Sequence, residues 1–366
     1  MSSRLPSRLG LALVAAVLAA LMVVPAAFAQ SKRAKAPTLK VMTRNIYLGG
    51  NIFLPIEAQN RQEFEQKTQE LWDQVNFTNF PARAKLLAKE IKQQSPDLVG
   101  LQEVALWRRS PTGVKDGFQT PSTIVVYDFL KTLQRELKAR GLRYRVAVVQ
   151  QETDIEAPTL EYDVRLTMRD AILVKRKRNG VKVLRARSKQ FKADVSVPTQ
   201  GGTFTSDRGW TYVDGSLAGR RFRFLNTHLE SFLEEPRVKQ AKELVARGGP
   251  ARSKNPVILV GDLNSDPKNR TGASPVAYRT LIRAGFKDSW TQAKGRAPGL
   301  SCCLKRPTAN DPPPFPGDHR IDHTLVKSPI RGLRAKIVGN DPDNRTSTGL
   351  WPSDHGGVAT TLRLGR

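Results

Sequence analysis

Apolar and polar positions follow two rhythms along this chain. Over 39–48, Val41, Thr43, Asn45 and Tyr47 fall on one side at a period of two, which predicts a strand. Over 58–75 and 82–93 the spacing is helical, with Leu86, Leu87 and Ile91 gathered on one face and Pro96-Asp97 as the stop. The apolar run at 98–104 predicts a buried strand, and 122–139 a helix that Gly141 ends. Further strands are predicted at 144–149, 171–174, 210–213 and 221–228, the last two joined by a hairpin-like connection at 214–220. A helix at 235–247 precedes a strand at 256–261, and a short helix is expected at 278–284. Strands at 320–326, 333–338 and 358–364 close the chain. Strands outnumber helices and partly arrive in hairpin pairs, while helices fall between them. The pattern predicts two sheets packed face to face with helices outside, an α/β sandwich. No linker between globular units and no internal repeat is evident. The segments 105–121, 151–168, 195–209 and 291–319 read as long loops, of the kind that are functional or mobile in a compact domain.

Composition narrows the partners. The 366 residues carry 60 Lys+Arg against 33 Asp+Glu, a formal net charge of +27. Such a chain attracts nucleic acid, phosphates and acidic lipid surfaces. Two cysteines exclude a disulfide scaffold, and a single long apolar run excludes a multi-span membrane protein. That run has the layout of a cleaved leader. Arg4 and Arg8 precede the apolar stretch 9–24, and small residues Ala27 and Ala29 set a cleavage point after Ala29. Export is therefore expected, with 1–29 a signal peptide, 30–38 a flexible basic lead-in and 39–366 the folded domain. The alternative is a membrane anchor through 9–29. The run Lys175-Arg176-Lys177-Arg178 reads as a solvated turn rather than a phosphate contact.

The candidate chemistry lies at strand ends. Asn45, Glu103 and His228 each end an apolar stretch, and Asp262-Leu263-Asn264 ends a fourth. Asp322 opens another, and Asp354-His355 precedes the last strand. An apolar strand ending in a carboxylate, amide or imidazole presents that group at a sheet rim. Together these supply oxygen ligands suited to Mg²⁺, Mn²⁺ or Ca²⁺ and imidazoles suited to proton transfer or phosphate stabilisation. If the strand continued past Asp262, Asp262 and Asn264 would share a face. Each element alone also reads as turn chemistry.

The ordered set Thr43-Arg44-Asn45, Leu101-Gln102-Glu103, Asn226-Thr227-His228-Leu229, Gly261-Asp262-Leu263-Asn264, Arg320-Ile321-Asp322 and Ser353-Asp354-His355-Gly356 resembles the endonuclease/exonuclease/phosphatase superfamily. That family includes pancreatic deoxyribonuclease, abasic-site endonucleases, neutral sphingomyelinases and inositol polyphosphate 5-phosphatases. The resemblance implies a deoxyribonuclease I-like four-layer α/β sandwich with two mainly antiparallel sheets. It implies a divalent metal, Mg²⁺ or else Mn²⁺ or Ca²⁺, held by Glu103 with Asn45, and Asp354 beside it. Asp262 would orient or activate water, Asn264 would hold the phosphate, and His355 would contact it with Asp322 fixing its tautomer. His228 would bind phosphate or protonate the leaving oxygen. The chain departs from the better-known nucleases after Asn45, where Ile46-Tyr47-Leu48-Gly49-Gly50-Asn51 follows, and at His323, which reads as a packing histidine. His319 receives no role. Cys302-Cys303 reads either as a vicinal disulfide ring stiffening the site's rim or as a reduced buried pair. Zinc is not indicated, because two further soft ligands are not evident.

The expected activity is in-line attack of water on a phosphate ester. The leading substrate is nucleic acid, read through its backbone with low sequence specificity. The alternative is a lipid-headgroup or inositol-phosphate phosphoesterase, which would bring an anionic membrane surface in as a partner. A non-catalytic polyanion-binding protein is disfavoured by the intact candidate set. A monomer is expected.

Overall fold

The computed structural model describes residues 36–365 except Phe118. The predicted leader at 1–29 lies outside them, as does all of the lead-in except its last residues, and Thr38 already belongs to the first strand.

In chain order the strands are β1 (Thr38–Asn45), β2 (Leu98–Gln102), β3 (Leu106–Arg109), β4 (Ile124–Asp128), β5 (Tyr144–Pro158), β6 (Asp163–Lys175), β7 (Lys182–Gln190), β8 (Val195–Thr199), β9 (Gly202–Ser206), β10 (Gly209–Leu217), β11 (Arg220–His228), β12 (Val257–Asp262), β13 (Lys287–Asp288), β14 (Asp322–Val326), β15 (Ile330–Val338) and β16 (Gly357–Leu364). The helices are α1 (Arg61–Phe77), α2 (Phe80–Gln94), α3 (Phe129–Ala139), α4 (Glu234–Val245), α5 (Val276–Arg283) and α6 (Ser289–Lys294).

Two large sheets form the centre. One is eight-stranded, in the order β15-β16-β1-β2-β6-β3-β4 with β5 also on β6. The other is six-stranded, in the order β13-β14-β12-β11-β10-β7, and β8-β9 is a separate hairpin. Pairing is antiparallel except for β1–β2 and β11–β12.

The alternation of side chains explains the layers. Leu39 and Val41 of β1 face inward and meet Val213, Phe224, Ile258 and Val260 of the other sheet. Met42, Val99 and Leu101 face outward and pack under Leu71, Trp72, Leu87, Ile91 and Leu133 of α1–α3. On the far side, Leu225, Leu259 and Leu263 pack under Ala241 and Leu244 of α4 and Leu281 of α5. This is the expected four-layer sandwich.

Several boundaries differ from the sequence pattern. The segment expected to be helical over 122–139 begins as β4, because Ile124-Val125-Val126 suits a strand, and Asp128 then caps α3 by accepting from the Lys131 N–H. The 151–168 segment is no loop. It is the outer arms of β5 and β6, which form a long hairpin. Most of 195–209 is the β8-β9 hairpin, and β3 lies within 105–121. β7 carries charged and polar residues at most positions, with Val183 and Ala186 packed against the core between the sheets, so no regular apolar alternation announces it. The 175–178 basic run enters an exposed turn, as expected.

Candidate active site

Strand register assembles the site. β11 and β12 run parallel with His228 opposite Asp262, and β12 and β14 run antiparallel with Asp262 opposite Asp322. One row across three strand ends therefore holds His228, Asp262 and Asp322. Gly261, φ +153°, allows this close pairing, since a Cβ there would collide with the Thr227 carbonyl. β1 and β2 run parallel in the facing sheet, so Asn45 at the end of β1 lies beside Gln102 and Glu103 follows directly. The turn before β16 brings Asp354 and His355 to the same place. All the expected site residues meet at this rim.

The contacts are specific. Asn45 Nδ2 donates to Glu103 Oε1 at 2.8 Å and to Asp262 Oδ2 at 3.1 Å, while its Oδ1 accepts from the Tyr47 N–H. The Asn45 amide nitrogen thus separates two carboxylates in this arrangement. The Leu48 N–H donates to the other Glu103 oxygen at 2.8 Å. His355 Nδ1 lies 2.9 Å from Asp322 Oδ2, and its Nε2 lies 3.7 Å from Asp262 Oδ2. His228 Nε2 stands 3.6 Å from the same Asp262 oxygen. One expectation is corrected. β12 does not continue to Asn264. The backbone turns left-handed there at φ 46°, and the Asn264 N–H folds back onto Asp262 Oδ1 at 2.9 Å. Asn264 reaches the site through this turn, not through strand alternation, and its Nδ2 donates to the Leu229 carbonyl.

Burial and charge set the protonation states. Burial pushes the Asp262 carboxyl up to about 7, Asp322 adds to this, and His355 and the hydrogen bonds from Asn264 and Asn45 oppose it. Burial likewise raises Asp354 to about 6, against the pull of His355. For His355 burial acts to lower the pKa, but Asp322, Asp354 and Asp262 together hold it well above the ordinary value. For His228 burial and Arg208 act together and push it well below.

The donor set fits a divalent cation. Glu103, Asp262 and Asp354 line one cleft of about 800 Å³, and burial raises Asp262 and Asp354 because protein cations only partly offset them. The ligating atoms there are hard oxygens.

Sequence reading missed several supporting groups. Arg208 is buried with Nη1 2.9 Å from His228 Nδ1, and lies within 4 Å of Glu152 and Glu230. Asp170 is fully buried beside them, and neither of its oxygens has a hydrogen-bond partner among the described residues. Arg83 is buried and donates to the carbonyls of Thr78, Ile46, Tyr47 and Pro352, so it ties the loop after Asn45 to the loop before Asp354. Arg44 pairs with buried Glu90 and also donates to the His355 carbonyl. Cys302 and Cys303 form a vicinal disulfide, with Cys302 Sγ 3.3 Å from His355 Nε2 and Cys303 Sγ 3.7 Å from His319 Nε2. His323 packs against Tyr278 and contacts the Ser265 carbonyl, as a packing histidine would.

Such a site on a four-layer sandwich defines a phosphoesterase class. A sequence model of the Endonuclease/Exonuclease/phosphatase family matches residues 71–355, and the chain belongs to that family. It is a metal-dependent phosphoric ester hydrolase. A search of curated proteins found no match. Among solved structures, the chain is similar to an endonuclease/exonuclease/phosphatase family protein from Bacteroides thetaiotaomicron, at 17% identity and TM-score 0.56 over 91% of this chain and 100% of that one. It is similar to D. rerio TDP2 complexed with a single-strand DNA product, at 17% identity and TM-score 0.53 over 89% and 99%. It is also similar to a mannosyl-6-phosphatase from Bacteroides thetaiotaomicron VPI-5482, at 18% identity and TM-score 0.51 over 88% and 99%. These likenesses concern the fold.

Proposed function

We propose that the chain is an exported, monomeric, Mg²⁺-dependent phosphodiesterase that hydrolyses nucleic acid. The observation that carries the substrate is the cleft rim. Lys305 and Arg306 line it, as do Phe77 and Phe53, the latter stacked on Phe232 with ring centroids 5.3 Å apart. Cations beside exposed aromatic faces suit phosphates alternating with bases. The single-strand DNA product bound to the TDP2 neighbour supports the same reading.

In this proposal Glu103 and Asp354 would hold the divalent ion, which would supply Lewis-acid neutralisation of phosphate charge. Asn45, expected as a ligand, instead positions the carboxylates, because its Nδ2 faces Glu103 and Asp262 and its Oδ1 is taken by the Tyr47 N–H. Asp262 orients the attacking water and accepts its proton, a task that suits a carboxyl pushed up to about 7. His355 presents its Nε2 side as a cation to the phosphate, with Asp322 holding Nδ1. His228 stays neutral. Its Nδ1 accepts from the Arg208 guanidinium, so the ring proton sits on Nε2 and can serve the leaving oxygen. Asn264, placed by its left-handed turn, steadies the phosphate. The leader at 1–29 accounts for export.

The test incubates protein beginning at Gln30 with supercoiled plasmid and Mg²⁺, with EDTA and His355→Ala as controls. Nicking that requires both the metal and His355 is expected. No nicking by folded protein, with hydrolysis of sphingomyelin or inositol phosphates under the same controls, would move the substrate to the alternative class.

A further inference from the structure

A second cleft lies on the outer face of the six-stranded sheet, at its β7 edge. It has a volume of about 470 Å³ and shares no lining residue with the catalytic cleft. Register builds it. Lys189, Arg187 and Arg185 of β7 stand opposite Trp210, Tyr212 and Asp214 of β10, which stand opposite Thr227, Leu225 and Arg223 of β11. Residues opposite one another share a face. Leu225 and Tyr212 pack in the apolar cluster under α4, so this row faces outward. The turn after α4 adds Arg247 and Arg252.

The charges are uncompensated. Arg223 is committed to Asp214 at 2.7 and 2.8 Å and lies over the Tyr212 ring at 3.7 Å. Arg185, Arg187, Lys189, Lys192 and Arg247 have no carboxylate at ion-pair distance among the described residues. Asp214 and Glu243 are the nearby acids in this row and lining, and the Glu243 carboxylate accepts from the Lys192 backbone N–H. Trp210 stacks on Tyr212 at 5.7 Å, and its indole N–H is buried with no hydrogen-bond partner among the described residues. Like charges ranked along one edge repel unless an anion lies between them.

We propose that this groove is a second binding site for a nucleic-acid strand, with the β7 cations on its phosphates. Arg185, Arg187 and Lys189 recur at every second residue, about 6.6 Å apart along a strand. That is about twice the 3.4 Å rise between phosphates on one strand of a duplex. The groove is independent of the catalytic reading, because it binds the strand whatever ester the cleft hydrolyses.

The test measures binding of a short single-stranded oligodeoxynucleotide in EDTA across a salt series, for the full protein and for R185E/R187E/K189E. The wild type is expected to bind, and the variant to bind at least about tenfold more weakly. The slope of log affinity against log salt should become shallower by about two, since each phosphate that the variant no longer neutralises takes away about 0.7. Hydrolysis of bis(p-nitrophenyl) phosphate should be unchanged, since none of these residues lines the cleft. Arg187→Ala provides a second arm if the triple variant does not fold. It should weaken binding and make the slope shallower by about 0.7. Unchanged affinity and slope in the variants would overturn the proposal. So would loss of binding to vesicles containing anionic lipid with oligonucleotide binding intact. Oligonucleotide binding through the groove without plasmid nicking would sink the catalytic substrate and leave the groove standing. Nicking with unaltered binding by the variants would do the reverse.

Discussion

His228 and His355 approach the same Asp262 oxygen at 3.6 and 3.7 Å, yet their surroundings are opposite. The His355 wall is acidic: Asp322 takes its Nδ1, with Asp354 nearby, and the ring is held protonated. The His228 wall presents a guanidinium: Arg208 meets Nδ1, and the ring is held neutral. Both rings are nearly as deeply buried, so burial alone would push both downward. The partner behind each ring decides its state. A cation and a neutral donor thus flank one carboxylate, the division of labour that the proposed phosphate binding and hydrogen bonding to the leaving oxygen call for.

The largest effect should follow from removing the acid behind His355. Asp322→Asn keeps the shape but removes the charge that favours the imidazolium, and it permits the wrong tautomer. A loss of about 10³–10⁴ in kcat is expected, as for other carboxylate-to-amide changes behind a catalytic histidine. Steady-state hydrolysis of bis(p-nitrophenyl) phosphate measures it. A loss below tenfold would mean that Asp322 does not set the state of His355.

The opposite wall should respond chiefly in stability. Arg208→Met leaves Glu152, Asp170 and Glu230 buried without their shared cation. Burial pushes Glu152 up to about 8 and raises Asp170 well above its ordinary value, and Arg208 opposes both shifts. Removing one partner of such a buried network costs about 3–5 kcal/mol. Urea unfolding reads this loss. A change under about 1 kcal/mol would show that the acids are already neutral and need no cation.

This pair of walls also marks what the sequence made legible. Asn45, Glu103, His228, Asp262 and Asp322 were visible because each interrupts an apolar strand at its end, and the ends of parallel neighbours lie together by construction. Arg208 sits between two strands with no periodic signal, and Glu152 and Asp170 lie inside β5 and β6, where nothing local separates them from solvent-facing residues. Arg83 reads as a surface cation of α2 until the carbonyls of two distant loops are seen around it. β7 was invisible for a related reason. Its outward face is cationic instead of apolar, so hydrophobic period, the strongest strand signal, is missing where the second groove lies.

A smaller loss should follow from removing the neutral donor. His228→Phe keeps the ring's bulk but has no proton to place at the Nε2 position. About a 10²-fold fall in kcat is expected, within the range of a single general acid. Substrates with a good leaving group need less protonation, so p-nitrophenyl esters should suffer less than plasmid. Equal losses on both would remove His228 from the leaving-group side.

His323 should separate burial from catalysis with the smallest effect. It is buried like the two site histidines, but its Nε2 contacts the Ser265 carbonyl at 3.1 Å instead of the cleft. Burial, with Arg320 adding to it, pushes the ring down to about 4. The folded state therefore stays neutral where the unfolded ring, near 6.5, takes a proton. Above that value neither state binds the proton and the ring contributes no pH dependence. As pH falls from 6.5 towards 4 the unfolded state gains protons first, so stability falls, and the loss levels off below about 4. At about pH 5 the loss amounts to about 2 kcal/mol relative to neutral pH. His323→Gln retains a donor for the Ser265 carbonyl and removes this term. Urea midpoints at about pH 7 and about pH 5 should therefore lie closer together in the variant by roughly that free energy, with kcat changed less than about twofold. An unchanged difference would mean that His323 is protonated in the folded protein. A large fall in kcat would place it in the site with the other two.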